Sequence, residues 1–184
     1  MIEDKERWNV RHVKKPMKHT VAPILEKYIS HAEIGNALDL ACGTGRNTHF
    51  LEKLGFSIDA VDLSDYALSC IKESQSITKI EVDLDSYDLK KDSYNLIVNT
   101  NYLNRRLMAQ MIDALVDGGV VIFETFIVAH DKPEQGSMNP DYLLAKNELL
   151  HCFVELDIVY YEERDDVNNL GEKVRIASLV AKKK

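Results

Sequence analysis

The stretch "LDLACGTGRN", Leu38 to Asn47, decides the fold. An apolar run carrying one acid, Asp39, ends in a cysteine and two glycines one residue apart, Gly43 and Gly45. Residues Ala37–Ala41 read as a short strand buried on both faces, because the run is continuously apolar apart from Asp39. Asn47–Leu54 reads as a helix with Phe50, Leu51 and Leu54 facing inward, and Gly55 suits its C-terminal cap. Glycine supplies the sharp strand-to-helix turn and lets a ligand approach where a Cβ would clash. The N–H groups that open the following helix have no partners within it and face outward from its end.

The same rhythm continues on both sides. Upstream, Val21, Ile24, Leu25 and Tyr28 recur at helical spacing between Met17 and about His31. Downstream, "FSIDAVD" reads as a second strand ending at Asp62, and Ser64 or Asp65 can cap a helix carrying Ala67, Leu68 and Ile71. "ITKIEVD" reads as a third strand ending at Asp83, and "YNLIVN" as a fourth ending at Asn99. A helix over Leu103–Val116 is expected to stop at the "DGG" turn before a fifth strand, "VVIFETF". After Phe126 comes a long polar stretch, of the kind that in compact domains is often functional. A helix near Leu143–His151 follows. Two strand patterns, "CFVELDIVYYEE" and "EKVRIASLVAKK", are joined by "RDDVNNLG" and predict an antiparallel pair. The expected class is α/β: a mostly parallel twisted sheet with an antiparallel edge and helices on both faces.

In an open parallel sheet a ligand sits beyond the carboxyl ends of the strands, at the point where strand order reverses. Gly43, Gly45, Asp62, Asp83 and Asn99 all fall at such ends. Asp62 can accept two hydrogen bonds from a ribose diol, and Asp83 or the Leu84 backbone can read an adenine edge. Each feature alone also has a plain structural reading, since glycines end strands and aspartates cap helices. Their ordered spacing points to a nucleoside ligand. The phosphate-binding pattern G-x-x-x-x-G-K-[ST] is absent, and Thr48 stands where G-x-G-x-x-G needs its third glycine. A ligand with a ribose and no phosphate fits better.

On these residues the chain resembles class I S-adenosylmethionine-dependent methyltransferases. "LDLACGTGRN" is similar to their first motif, "AVDLS" to the ribose motif, "EVDLD" to the adenine-side motif, and "YNLIVNTNYL" to the segment lining the transfer site. Within that class, "NYLNRRL", "GGVVIFETF" and "NPDYLLAKNELL" resemble the small tellurite-resistance-type (TehB-like) subgroup. The resemblance implies a Rossmann-like class I methyltransferase fold with S-adenosyl-L-methionine as cofactor. It implies that Gly43 and Gly45, with Ala41 and Cys42 of the same turn, flank the methionine part. Asp39 would organise its amino group, and Arg46 and Asn47 would contact its carboxylate. Asp62 would hold the ribose with Leu63 against adenine, Asp83 and Leu84 would meet the adenine amino edge, and Asn99 would lie near the sulfonium. The Asn-Pro-Pro-Tyr signature is absent after the fourth strand, which argues against amide- and adenine-N-methylating families. Candidates on the acceptor side are Asn101, Tyr102, Glu124, Phe126, His130 and Tyr142. Of these, Tyr102 is favoured for positioning and His130 as a base or lid residue.

Bulk composition narrows the partners. The 184 residues suit one domain over 1–184, with a basic N-terminal arm at 1–19 and a substrate lid loop at 129–142. Residues 1–20 carry six Lys or Arg against three acids, and Trp8 could pack over the cofactor pocket. A net charge of −7 disfavours nucleic acid. No run approaches the ~18 apolar residues of a membrane span, and the start lacks the apolar core of a signal peptide, so a cytoplasmic location is expected. Three scattered cysteines and six scattered histidines predict no disulfide framework and no metal site. The expected activity is methyl transfer to a small nucleophile such as a thiol or metalloid anion. The alternatives are a protein or RNA acceptor, a non-catalytic S-adenosylmethionine-binding module, and an NAD-dependent oxidoreductase. The oligomeric state is not readable.

Overall fold

A computed structural model describes residues 2–14, 20–129, 131, 139–168 and 171–184. Seven strands among them form one sheet: β1 (Asn36–Leu40), β2 (Ser57–Asp62), β3 (Ile77–Glu81), β4 (Tyr94–Thr100), β5 (Leu115–Phe126), β6 (Asp157–Val167) and β7 (Lys173–Lys182). Their order across the sheet is β3-β2-β1-β4-β5-β7-β6. The pairings from β3 through β5 are parallel, and β7 runs antiparallel to both β5 and β6. The reversed strand is therefore second from the edge. Connections diverge on either side of β1, so the switch point of the sheet falls at the carboxyl ends of β1 and β4.

Among the described residues six α-helices accompany the sheet: α1 (Ile2–Lys14), α2 (Pro23–Tyr28), α3 (Arg46–Lys53), α4 (Asp65–Ser69), α5 (Arg105–Ala114) and α6 (Glu148–Cys152). The alternation of strand side chains sorts the core into two faces. Leu38, Leu40, Ile97 and Phe123 pack with Leu107 and Met111 of α5 and Leu149 of α6. Ala37, Leu96, Val98 and Ile122 pack with Leu25 of α2, Leu51 of α3 and Leu68 of α4. This is the three-layer arrangement expected of strands with continuous apolar runs.

Several boundaries differ from the sequence expectation. The helix expected from Met17 begins only at Pro23, whose ring takes the first helical position while Ala22 stays extended. Leu54 does not face inward; it is 38% exposed as the cap residue of α3. β3 closes at Glu81, two residues before Asp83. The "DGG" turn does not stop the α5 helix. α5 ends at Ala114, and β5 begins at once with Leu115. The glycines fall inside β5, where the register against β4 shifts between Tyr94 and Leu96. A Cβ on Gly119 would lie 2.8 Å from the Val116 carbonyl and 2.9 Å from that of Tyr94, so the irregular crossing needs glycine there. Leu143 and Leu144 are not helical; Leu144 bridges Ile127, and α6 starts at Glu148. "RDDV" continues β6.

The segment expected as a basic N-terminal arm contains a 13-residue helix, α1, docked against α4. Of the expected lid at 129–142, Ala129, Asp131 and residues 139–142 are described; His130 lies outside the described residues.

Candidate active site at the carboxyl ends of β1, β2 and β4

β1 stops because the backbone turns left-handed three times in five residues: Ala41 at φ 50°, Gly43 at φ 56° and Gly45 at φ 82°. Gly45 is confined further, since a Cβ there would lie 2.7 Å from Ile71 Cγ1. The Gly45 carbonyl accepts from the His49 N–H at 2.9 Å, closing the first turn of α3, and no side chain caps that helix. Its opening N–H groups are thus not consumed by a side-chain cap. Cys42 is buried beside the turn, and burial pushes its thiol well above the usual range, so it is a packed neutral group.

Asp62, at the end of β2, is tied to this turn. Its Oδ2 accepts from the Gly43 N–H and its Oδ1 from the Ser64 N–H, both at 2.8 Å. Leu63 is half-buried next to it. Ser64 caps α4, accepting from the Ala67 N–H at 3.0 Å. On the β3 side, Asp83 Oδ1 accepts from the Asp85 N–H at 3.0 Å, and this bond holds its carboxyl below the usual range. The buried Leu84 has its carbonyl taken by Asn104 Nδ2 at 3.3 Å and Arg106 Nη2 at 2.9 Å.

Polar groups also crowd the ends of β1 and β4. Asp39 is buried and accepts from the Thr48 hydroxyl at 2.6 Å; desolvation raises its pKa to about 7. Thr48 thus occupies the place of a third glycine and uses its hydroxyl there. Asn47 is committed at both ends of its amide, accepting from the Ala22 N–H at 3.1 Å and donating to Thr100 Oγ1 at 3.1 Å. Arg46 donates through Nη2 to the same Thr100 oxygen at 3.4 Å. Burial lowers its pKa, opposed by the charges of Asp39 and Glu124. Asn99 is 0% exposed and pairs with Leu40 of β1; its Nδ2 donates to the Tyr102 carbonyl at 2.8 Å. Among the described residues, Arg46 Nε and Asn99 Oδ1 are buried polar atoms with no hydrogen-bond partner.

Beyond β4 lie the residues expected on the acceptor side. Asn101 holds φ 60° and donates its N–H to the Glu124 carbonyl at 2.8 Å. The Tyr102 hydroxyl accepts from Asn104 Nδ2 at 3.3 Å, and burial pushes its pKa up to about 12. Tyr102 is therefore neutral near neutrality and a poor general base. Glu124 Oε2 accepts from Arg164 Nη2 at 3.0 Å and from the Ser178 hydroxyl at 2.6 Å. Its carboxylate is therefore held by β6 and β7. Phe126 is half-buried at the end of β5 and Tyr142 is exposed. Arg105 fastens the segment that returns after β5. It pairs with both oxygens of Glu148 at 2.5 and 3.0 Å and donates to the carbonyls of Asp141 and Leu143.

A family model described as "Tellurite resistance protein TehB" matches residues 6–176. This chain belongs to the TehB family. The TehB-family chain is 24% identical over 164 residues to a Haemophilus influenzae protein named "Probable S-adenosyl-L-methionine-dependent methyltransferase TehB". That match covers 80% of this chain and 57% of the relative, so the chain spans little more than half the length of that protein. It is 25% identical over 187 residues to a Bacillus cereus "Malonyl-[acyl-carrier protein] O-methyltransferase", covering 88% and 69% of the two chains. The crystal structure of Haemophilus influenzae TehB superposes with a TM-score of 0.79 at 21% identity, over 96% of this chain and 67% of that one. The fold is the Rossmann-like fold of class I methyltransferases.

Sequence reading of this TehB-family chain missed the polar face of α1. Lys5, Asn9 and His12 lie three or four residues apart and reach the ends of β2 and β3. Their helical spacing was the available signal. Trp8, expected over the pocket, is half-buried with its ring 6.2 Å from that of His12.

Proposed function

We propose that this chain is an S-adenosylmethionine-dependent methyltransferase acting on a small nucleophile. One observation carries the reading: two buried polar atoms without partners, an acceptor on Asn99 and a donor on Arg46, stand beside a glycine turn at the switch point of the sheet. Such atoms are costly unless a ligand completes them. An amino-acid end, with an ammonium for Asn99 Oδ1 and a carboxylate for Arg46, supplies both partners.

The other residues fit the same group. Gly43 and Gly45 leave the backbone bare for the methionine part, with Ala41 and Cys42 in the same turn. Asp39 lies in that region as a buried carboxyl. Asp62, oriented by two backbone N–H groups, offers its remaining lone pairs to a ribose diol. Leu63 and Leu84 pack on adenine and Asp83 faces its amino edge. When bound, S-adenosylmethionine supplies an already activated methyl, so the chain's own work is alignment and exclusion of water. Tyr102 positions the acceptor. His130 remains the candidate for holding a proton when the nucleophile arrives protonated. The Arg105–Glu148 pair steadies the segment bounding the acceptor side. Asn47, its amide already committed, supports the turn by tying Ala22 to Thr100.

Calorimetric titration with S-adenosylmethionine, S-adenosylhomocysteine and NAD tests the reading. Binding of the first two and not of NAD is expected, followed by methyl transfer in a screen of small thiols and oxyanions. Binding of NAD alone would refute it, and turnover only on a protein or RNA acceptor would replace the small nucleophile.

A further inference from the structure

We propose that α1 is part of the cofactor site: Asn9 is a positioning residue that steadies Asp62 through Ser64, and α1 closes over the nucleoside half of the ligand. The proposal rests on the methyltransferase reading above.

A continuous line of hydrogen bonds runs from the glycine turn to α1. The Gly43 N–H donates to Asp62, and the Ser64 N–H donates to the other oxygen of the same carboxylate. The Ser64 hydroxyl donates to Asn9 Oδ1 at 2.5 Å. Asn9 Nδ2 then donates to Asp65 Oδ1 at 2.7 Å. One turn earlier, Lys5 pairs with Asp65 at 2.9 Å and with Glu81, the last residue of β3, at 2.5 Å. One turn later, His12 is 8% exposed and lies within reach of the Asp62 charge. The helix is thus anchored at the ends of β2 and β3, the two strands whose ends are assigned to ribose and adenine.

The way α1 is held suits a cover that opens. No described apolar side chain of α1 belongs to the core, and Val10 and Val13 are 50% and 57% exposed. Beside the buried His12 and half-buried Trp8, its described contacts are mainly hydrogen bonds and partly exposed ion pairs, which contribute little to keeping a segment docked. A ligand beneath it adds contacts only in the closed position, so occupancy and docking reinforce each other.

The chain's one tryptophan, Trp8, lies on α1 and reports the helix directly. The experiment combines calorimetry of S-adenosylhomocysteine with acrylamide quenching of Trp8 fluorescence, on the wild type, Asn9→Ala and Lys5→Ala. Saturating ligand is expected to reduce quenching in the wild type. Both variants should be quenched more before ligand is added, and Asn9→Ala should bind about tenfold more weakly, chiefly through faster dissociation. Heat of binding in the wild type with quenching unchanged, and wild-type affinity in Asn9→Ala, would overturn the cover alone. No heat in the wild type would overturn the methyltransferase reading and the cover with it.

Discussion

Asp62 spends one lone pair of each carboxylate oxygen on a backbone N–H, which leaves a second on each for the proposed ribose diol. Asp62→Ala should therefore weaken S-adenosylmethionine binding by about 10–100-fold, read by calorimetry; unchanged affinity in a folded variant would remove Asp62 from the site. Asp39 makes a different demand. Its folded pKa of about 7 stands above the ~3.9 of an unfolded aspartate. The folded protein binds the extra proton, so the stability from this group is fully present below the unfolded value and is lost as pH rises through about 7. A ligand ammonium nearby favours the carboxylate, so binding at pH 6 should release a proton. Calorimetry in two buffers of different ionisation heat checks this, and Asp39→Asn should abolish the difference. The residues at strand ends were legible because a strand's end follows from its apolar run. The side-chain partners of Asn47 were not, because Ala22 and Thr100 are brought to it by the fold.

At the scale of elements, strands were easier to read than helices. The buried strands are continuous apolar runs, and most of their ends fall within two residues of the expectation. Short helices take their limits from single residues, as at Pro23, and from their neighbours. α5 illustrates the second case: the turn signal "DGG" lies inside β5, where the backbone of β4 passes too close for a side chain. Gly119→Ala should cost about 1–3 kcal/mol in urea unfolding through overpacking against that backbone, with a wild-type unfolding midpoint counting against the close crossing. α1 was the least legible element. A polar stripe docked by hydrogen bonds has the same pattern as one facing solvent.

For the whole molecule, the parallel sheet and its reversed strand were visible in the pattern, whereas the order β3-β2-β1-β4-β5-β7-β6 was not, since pairing across the sheet is nonlocal. The site draws on β1, β2 and β4 together, so a ligand there binds the folded chain and not the unfolded one. At a hundredfold excess over its dissociation constant, S-adenosylhomocysteine should add about 2.7 kcal/mol and raise Tm by about 5–10 °C; a scan with no shift at saturation would contradict binding to the native state. The sheet's outer strand has a separate consequence. β6 carries five acids, Asp157, Glu162, Glu163, Asp165 and Asp166, against one arginine. Its far side is the open edge of the sheet, where another molecule's strand could add on. Two copies meeting there would bring acidic strands together, and the repulsion left after their pairs with Arg164, Arg175 and Lys184 opposes strand addition at that edge.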